Sequence, residues 1–339
     1  EVLTAVFLLV PSLCCCVAVQ ERPFSSGGVR GGRWVKMMMM ASQHQGDTSL
    51  MSALDVQQPR VLDLDQETDP EVLYAAALEL YDNDSPQDCV TVLMAALRAY
   101  ESLGLHDTSL LANLFLALGN AYHAQGNVKA ALEMNASCIE TLEEEGGPED
   151  PRLLTVYLNT GSIHLAAGQL EEAMQDFLRS RALGEHLVGH DRLIMADVLH
   201  NVAVVNDRLG NTGEALRNYE TSVRIREKVK GPNDPLLAVT LENMATICRD
   251  LGQTDNALAL QGRVTEIRKN AFGIRHLDYA KSVYNLGMIL QANRDYVKAV
   301  KLFSRAASLF NKVVGSTSHP LVEECRRCAQ ICKKSIKRV

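Results

Sequence analysis

The chain has 339 residues, with 34 Lys and Arg against 41 Asp and Glu, for a net charge of −7. A hydrophobic fraction of 47% is enough to fold, and the acidic balance excludes a general nucleic-acid binder. Nine Cys are an odd count, too few for a disulfide scaffold, and point to a thiol-reducing compartment. Only the first nineteen residues approach the length of a membrane span, which excludes a multi-span membrane protein.

Residues 1–19 are apolar, interrupted by Pro11. Three readings compete: the apolar region of a secretory signal, part of an organellar transit segment with Arg22-Pro23-Phe24-Ser25 as its processing site, or untranslated sequence ahead of a start at Met37–Met40. The run Cys14-Cys15-Cys16 is an acylation candidate only if it is translated. Residues 41–69 are polar and acidic, show no sustained heptad, and complete a flexible N-terminal segment over 1–69.

From residue 70 the chain repeats itself every 42 residues. Ala131, Ala173, Ala215, Ala257 and Ala299 form one column. Gly126, Gly168, Gly210 and Gly252 form another, with Arg294 in the fifth place and Asp84 in the degenerate first unit. Gly147, Gly189, Gly231, Gly273 and Gly315 make a second glycine column. A small-residue column runs Gly119, Gly161, Ala203, Ala245, Gly287, and an Asn column runs Asn159, Asn201, Asn243, Asn285.

Within a unit the apolar residues recur at helical spacing, as in Leu111, Leu114, Leu118 and Tyr122. The first glycine column falls between two such stretches and suits a left-handed helix C-cap. The second, often followed by Pro, ends the second helix and restarts the next unit. Each unit therefore reads as a helix–turn–helix whose small column lets the two helices approach across from the Ala column. Six units fill 70–321. A basic capping helix and tail fill 322–339, with Leu321, Cys325, Cys328, Ile331 and Cys332 facing the last unit.

Leu118-Gly119, Tyr122, Gly126, Ala131 and the Phe177/Tyr219/Phe303 column resemble the tetratricopeptide repeat. The 42-residue period resembles the variant found in kinesin light chain and nephrocystin-like repeat domains, as does the stretch Tyr219–Pro235 followed by Leu241-Glu242-Asn243-Met244-Ala245. The resemblance implies an all-α, right-handed superhelical solenoid whose first helices line a concave groove. It also implies a non-enzymatic scaffold or adaptor that holds an extended partner segment there. The Asn column suits that task, because one amide can serve both the N–H and the C=O of a peptide backbone. Alternatively, these Asn pair with the neighbouring unit and only order the stack.

His200, Glu242, Tyr284 and Arg249 fall on inward-pointing positions, and Arg249 with Lys281 suits acidic side chains of a ligand. The groove candidates are therefore Asn159, Asn201, Asn243, Asn285, His200, Glu242, Arg249, Lys281 and Tyr284. No phosphate loop, nucleophile elbow or zinc-protease helix occurs, so no catalytic residue, metal or cofactor is expected. Cys325, Cys328 and Cys332 share one helix face and read as small core residues, with metal or redox use the lesser alternative.

Expected partners are other proteins, through peptide segments, acidic ones among them. Nucleic acid and integral membrane association are not expected, and self-association through an uncovered end stays open. The expected location is cytoplasmic, or mitochondrial if the N-terminal segment is a transit peptide. In that second reading the chain is a structural subunit of a larger assembly, using its convex and end surfaces.

Overall fold

The computed structural model describes residues 68–185 and 192–337. The readings of residues 1–67, and Gly189, lie outside the described residues. The described chain forms α1 (Pro70–Asp82), α2 (Pro86–Ser102), α3 (Thr108–Ala124), α4 (Val128–Gly146), α5 (Leu153–Ala166), α6 (Leu170–Glu185), α7 (Arg192–Arg208), α8 (Thr212–Lys230), α9 (Pro235–Asp250), α10 (Thr254–Phe272), α11 (Leu277–Ala292), α12 (Tyr296–Val314) and α13 (Pro320–Ile336). Consecutive helices pair antiparallel into six hairpins, α1–α2 through α11–α12, and α13 packs on α12. The first helices of hairpins one to four also touch in sequence, α1 on α3, α3 on α5 and α5 on α7. The molecule is an all-α solenoid with no strand among the described residues.

The turn inside each hairpin has one geometry. The residue after the turn position donates its N–H five residues back, as from Asn127 to Tyr122 at 2.9 Å and from Gln253 to Cys248 at 2.8 Å. This is the Schellman closure, which needs a left-handed residue just before the donor. Gly126, Gly168, Gly210 and Gly252 supply it. Asp84 (φ 59°) and Arg294 (φ 62°) hold the same conformation without being glycine, and Ser85 and Asp295 make the same bond at 3.0 and 2.9 Å.

Between hairpins the geometry differs. Gly147, Gly231 and Gly273 have φ near +80° and ψ near 180° (φ 79°, 87° and 79°; ψ 179°, 171° and 169°), a region open essentially to glycine alone.

The five alanines of the Ala column are fully buried. The closest atoms facing the small column belong to a different row, sixteen residues on. A Cβ on Gly161 would lie 2.6 Å from Phe177, and one on Gly287 would lie 2.8 Å from Phe303. The close approach thus seats a ring against bare helix backbone. In the second hairpin the facing residue is Asn135, fully buried. Its Nδ2 donates to Thr160 Oγ1 at 3.1 Å in the next hairpin.

Another row ties first to second helices. Cys138 Sγ, Ser180 Oγ and Ser222 Oγ donate to the carbonyls of Ala112, Leu154 and Ala196, at 3.3, 2.8 and 2.6 Å. The capping helix buries Cys325, Cys328 and Cys332 against the last hairpin. Burial pushes the Cys325 thiol up to about 12, so it stays protonated and behaves as a small apolar group.

Candidate peptide-binding groove

The candidate positions lie on the first helices, which touch one another through the first four hairpins. The Asn column occupies one position on α5, α7, α9 and α11. Asn159, Asn201 and Asn243 are buried and Asn285 is half-buried. Three of the four reach back to the preceding hairpin. Asn159 Nδ2 donates to Asn120 Oδ1 at 3.0 Å, Asn243 Nδ2 to Tyr219 Oη at 3.3 Å, and Asn285 Nδ2 to Glu242 Oε1 at 2.7 Å. All three partners are side chains of the neighbouring unit. Asn201 makes no side-chain hydrogen bond to a described residue, and none of the four Asn carbonyl oxygens accepts one from a described residue.

Glu242 is the most constrained of the other candidates. Arg268 on α10 grips it with two bonds of 2.9 and 2.7 Å, and Asn285 adds the third. His200 is 3% exposed. Its Nδ1 lies 2.9 Å from Thr240 Oγ1, its ring meets Tyr219 edge-on at 5.4 Å, and its Nε2 is buried with no hydrogen-bond partner among the described residues. Burial lowers its pKa to about 4, so the ring is neutral near pH 7. Arg249 pairs with Asp250 at 2.9 Å, and Lys281 lies 3.6 Å from Asp278. Each cation thus has an anionic neighbour on its own helix. Tyr284 is half-buried against Phe303, with its hydroxyl 3.8 Å from Cys328 Sγ. Burial raises its pKa, so it stays a neutral donor.

The structure therefore brings Glu242, Asn285 and Arg268 into direct contact. Asn243 hangs on Tyr219, which His200 also touches. Sequence reasoning missed Asn120 and Arg268. Arg268 sits 26 residues after its partner, as Cys138 and Ser222 do after theirs, so a search for pairs at that offset would have found it. Asn120 belongs to no 42-residue column and left no such signal.

Among the described residues no group of three or more His, Cys, Asp or Glu is placed to hold a metal ion. No helix among them is long and apolar enough to cross a membrane.

Six stacked helical hairpins with one recurrent turn define a helical-repeat protein. The tetratricopeptide repeat model matches residues 110–186, 152–228, 194–270 and 236–312, and the chain belongs to that family. Among solved structures it is similar to a Podosopora anserina kinesin light chain homologue with nearly identical TPR-like repeats. That match has 21% identity and a TM-score of 0.55, and covers 62% of this chain and all of that one. BtubC (BKLC) from P. vanneervenii matches at 16% identity and TM-score 0.57, over 75% of this chain and 96% of that one. The apo form of RapI matches at 13% and 0.54, over 79% and 76%. At these identities the likeness shows the fold. No curated protein sequence matches the chain significantly.

Proposed function

We propose that the chain is a non-enzymatic adaptor that holds an extended segment of a partner protein in its concave groove, as kinesin light chain-like repeats would. The observation that carries this reading is the Asn column. Four amides stand at one helical position with unused acceptor oxygens, and the Asn201 amide is wholly unspent among the described residues. The bonds of Asn159, Asn243 and Asn285 to preceding hairpins fix those three amides, so a ligand backbone meets preset groups there and little rotamer freedom is lost on binding. Glu242 and Tyr284 border the column. Arg249 and Lys281 retain donors beyond those facing Asp250 and Asp278, which suits an acidic side chain of the segment. Single-segment binding of this sort is typically micromolar, about −8 kcal/mol.

The test compares partners captured by the full chain and by an Asn201→Ala/Asn243→Ala variant of matched melting temperature. A partner held by the first and lost from the second, and displaced by a synthetic peptide cut from its own sequence, supports the reading. Identical capture by both moves the interface to the convex or end surfaces and favours the structural-subunit alternative.

A further inference from the structure

The two ends of the stack break the repeat in complementary ways. Val72 on α1 shares its column with Leu114, Val156, Val198, Thr240 and Ser282, all at most 1% exposed. Leu114 is buried in the cluster that contains α1 and α2, so this position packs on the hairpin before it. No described hairpin precedes α1, and Val72 is 41% exposed. At the other end, α13 occupies the first-helix place of a seventh unit without a described second helix. Ile331 shares its column with Ala121, Ile163, Val205, Ile247 and Ile289, all at most 4% exposed, yet it is 44% exposed itself. Ile336 is also exposed.

Charge divides the same way. The first hairpin exposes Glu71, Glu79, Asp82, Asp84 and Asp88, and no Lys or Arg occurs between Asp69 and Leu97. The last helix exposes Arg326, Arg327, Lys333, Lys334 and Lys337; its own acids are Glu323 and Glu324, and Glu324 is tied to Arg327 at 2.7 Å. Among the described residues each end thus exposes an apolar side chain at a column buried elsewhere in the repeat, with surrounding sequence charge of opposite sign to the other end.

We propose that these ends bind each other, so that copies of this chain join head to tail, the acidic α1–α2 hairpin of one against the basic α13 of the next. The occupant is a second copy because both halves of the complement, apolar seat and charge, lie on one chain. Such an interface is heterologous. It extends into an open chain of copies unless its rotation closes a ring. The helices proposed to meet, α1 and α13, carry none of the four Asn, so assembly would multiply weak groove contacts through avidity.

The test is sedimentation of the full chain from about 5 to about 200 µM, a range that brackets micromolar association. It is run at about 0.05 and about 0.5 M salt, where screening shortens from about 14 to about 4 Å. The expected result is a mass that grows with concentration at low salt and is lost at high salt. Lys333→Glu/Lys334→Glu should weaken growth by about tenfold, and so should Glu79→Lys/Asp82→Lys, because like charges then face each other. An equimolar mixture of the two variants should recover growth, since each altered end then meets its opposite. All four positions are exposed, and unchanged circular dichroism melts confirm folding. A monomer throughout the range would overturn the proposal, as would growth indifferent to both charge reversals or a mixture that fails to recover. So would a fixed dimer, which marks a symmetric interface.

Discussion

At the residue scale, the turn positions separate what glycine permits from what the fold demands. Arg294 adopts a left-handed conformation that four glycines take elsewhere in its column. A side chain there costs about 1 kcal/mol. Arg294→Gly should raise stability by about 0.5 kcal/mol once the looser unfolded chain is counted, read as a higher urea midpoint at unchanged slope. Gly161 is the reverse case. Its missing Cβ makes room for the buried Phe177 ring, so Gly161→Ala should cost about 1–3 kcal/mol by overpacking despite alanine's better helix propensity. His200 sets a pH dependence. Its folded pKa near 4 lies below the unfolded 6.5, so the unfolded state binds the extra proton between those values. Stability is full above about pH 6.5 and falls by up to about 3 kcal/mol as pH drops toward 4. His200→Phe should flatten thermal melts across that window, while His123, whose pKa burial also lowers, keeps a slope of the same sign. The left-handed turn was legible from the glycine column. The burial of His200 was not, since its column holds Leu116, Leu158, Glu242 and Tyr284, whose chemistry agrees on nothing.

At the element scale, hairpins are held by rows that recur and by pairs that do not. The Cys138, Ser180 and Ser222 bonds recur at the repeat spacing and were readable in principle. The pair of Arg226 with Asp197 joins α8 to α7 in one hairpin only, with both side chains nearly sealed from water. Asp197→Asn leaves the buried guanidinium with Asp234 at 3.6 Å as its one carboxylate among the described residues, and should cost about 3 kcal/mol in urea unfolding. Gly147, Gly231 and Gly273 end the second helices in a backbone conformation open essentially to glycine, where periodicity announced only a chain break. The sequence placed the aromatic row and the small row as rows and faced the small row with the alanines, which holds in the second hairpin, where Ala131 O would lie 3.3 Å from a Cβ on Gly119. The ring sits one helical turn further along, where the helix–helix approach is closest.

At the scale of the whole molecule, the architecture was legible because each unit solves one burial problem six times, and repetition makes weak signals add. The groove was legible only as positions. Whether an Asn is spent on its neighbour depends on side-chain partners such as Asn120, Tyr219 and Glu242, each set by a different local packing. The account's central claim is that partner segments lie along the first helices. It is tested most directly by a photo-crosslinking amino acid placed in turn at Lys281, on first helix α11, and at Lys228, exposed on second helix α8, with the full chain in cell extract. The account predicts discrete crosslinked partners from position 281 that disappear in the Asn201→Ala/Asn243→Ala background, and none from position 228. Partners crosslinked from 228 alone, unaffected by the Asn substitutions, would contradict it.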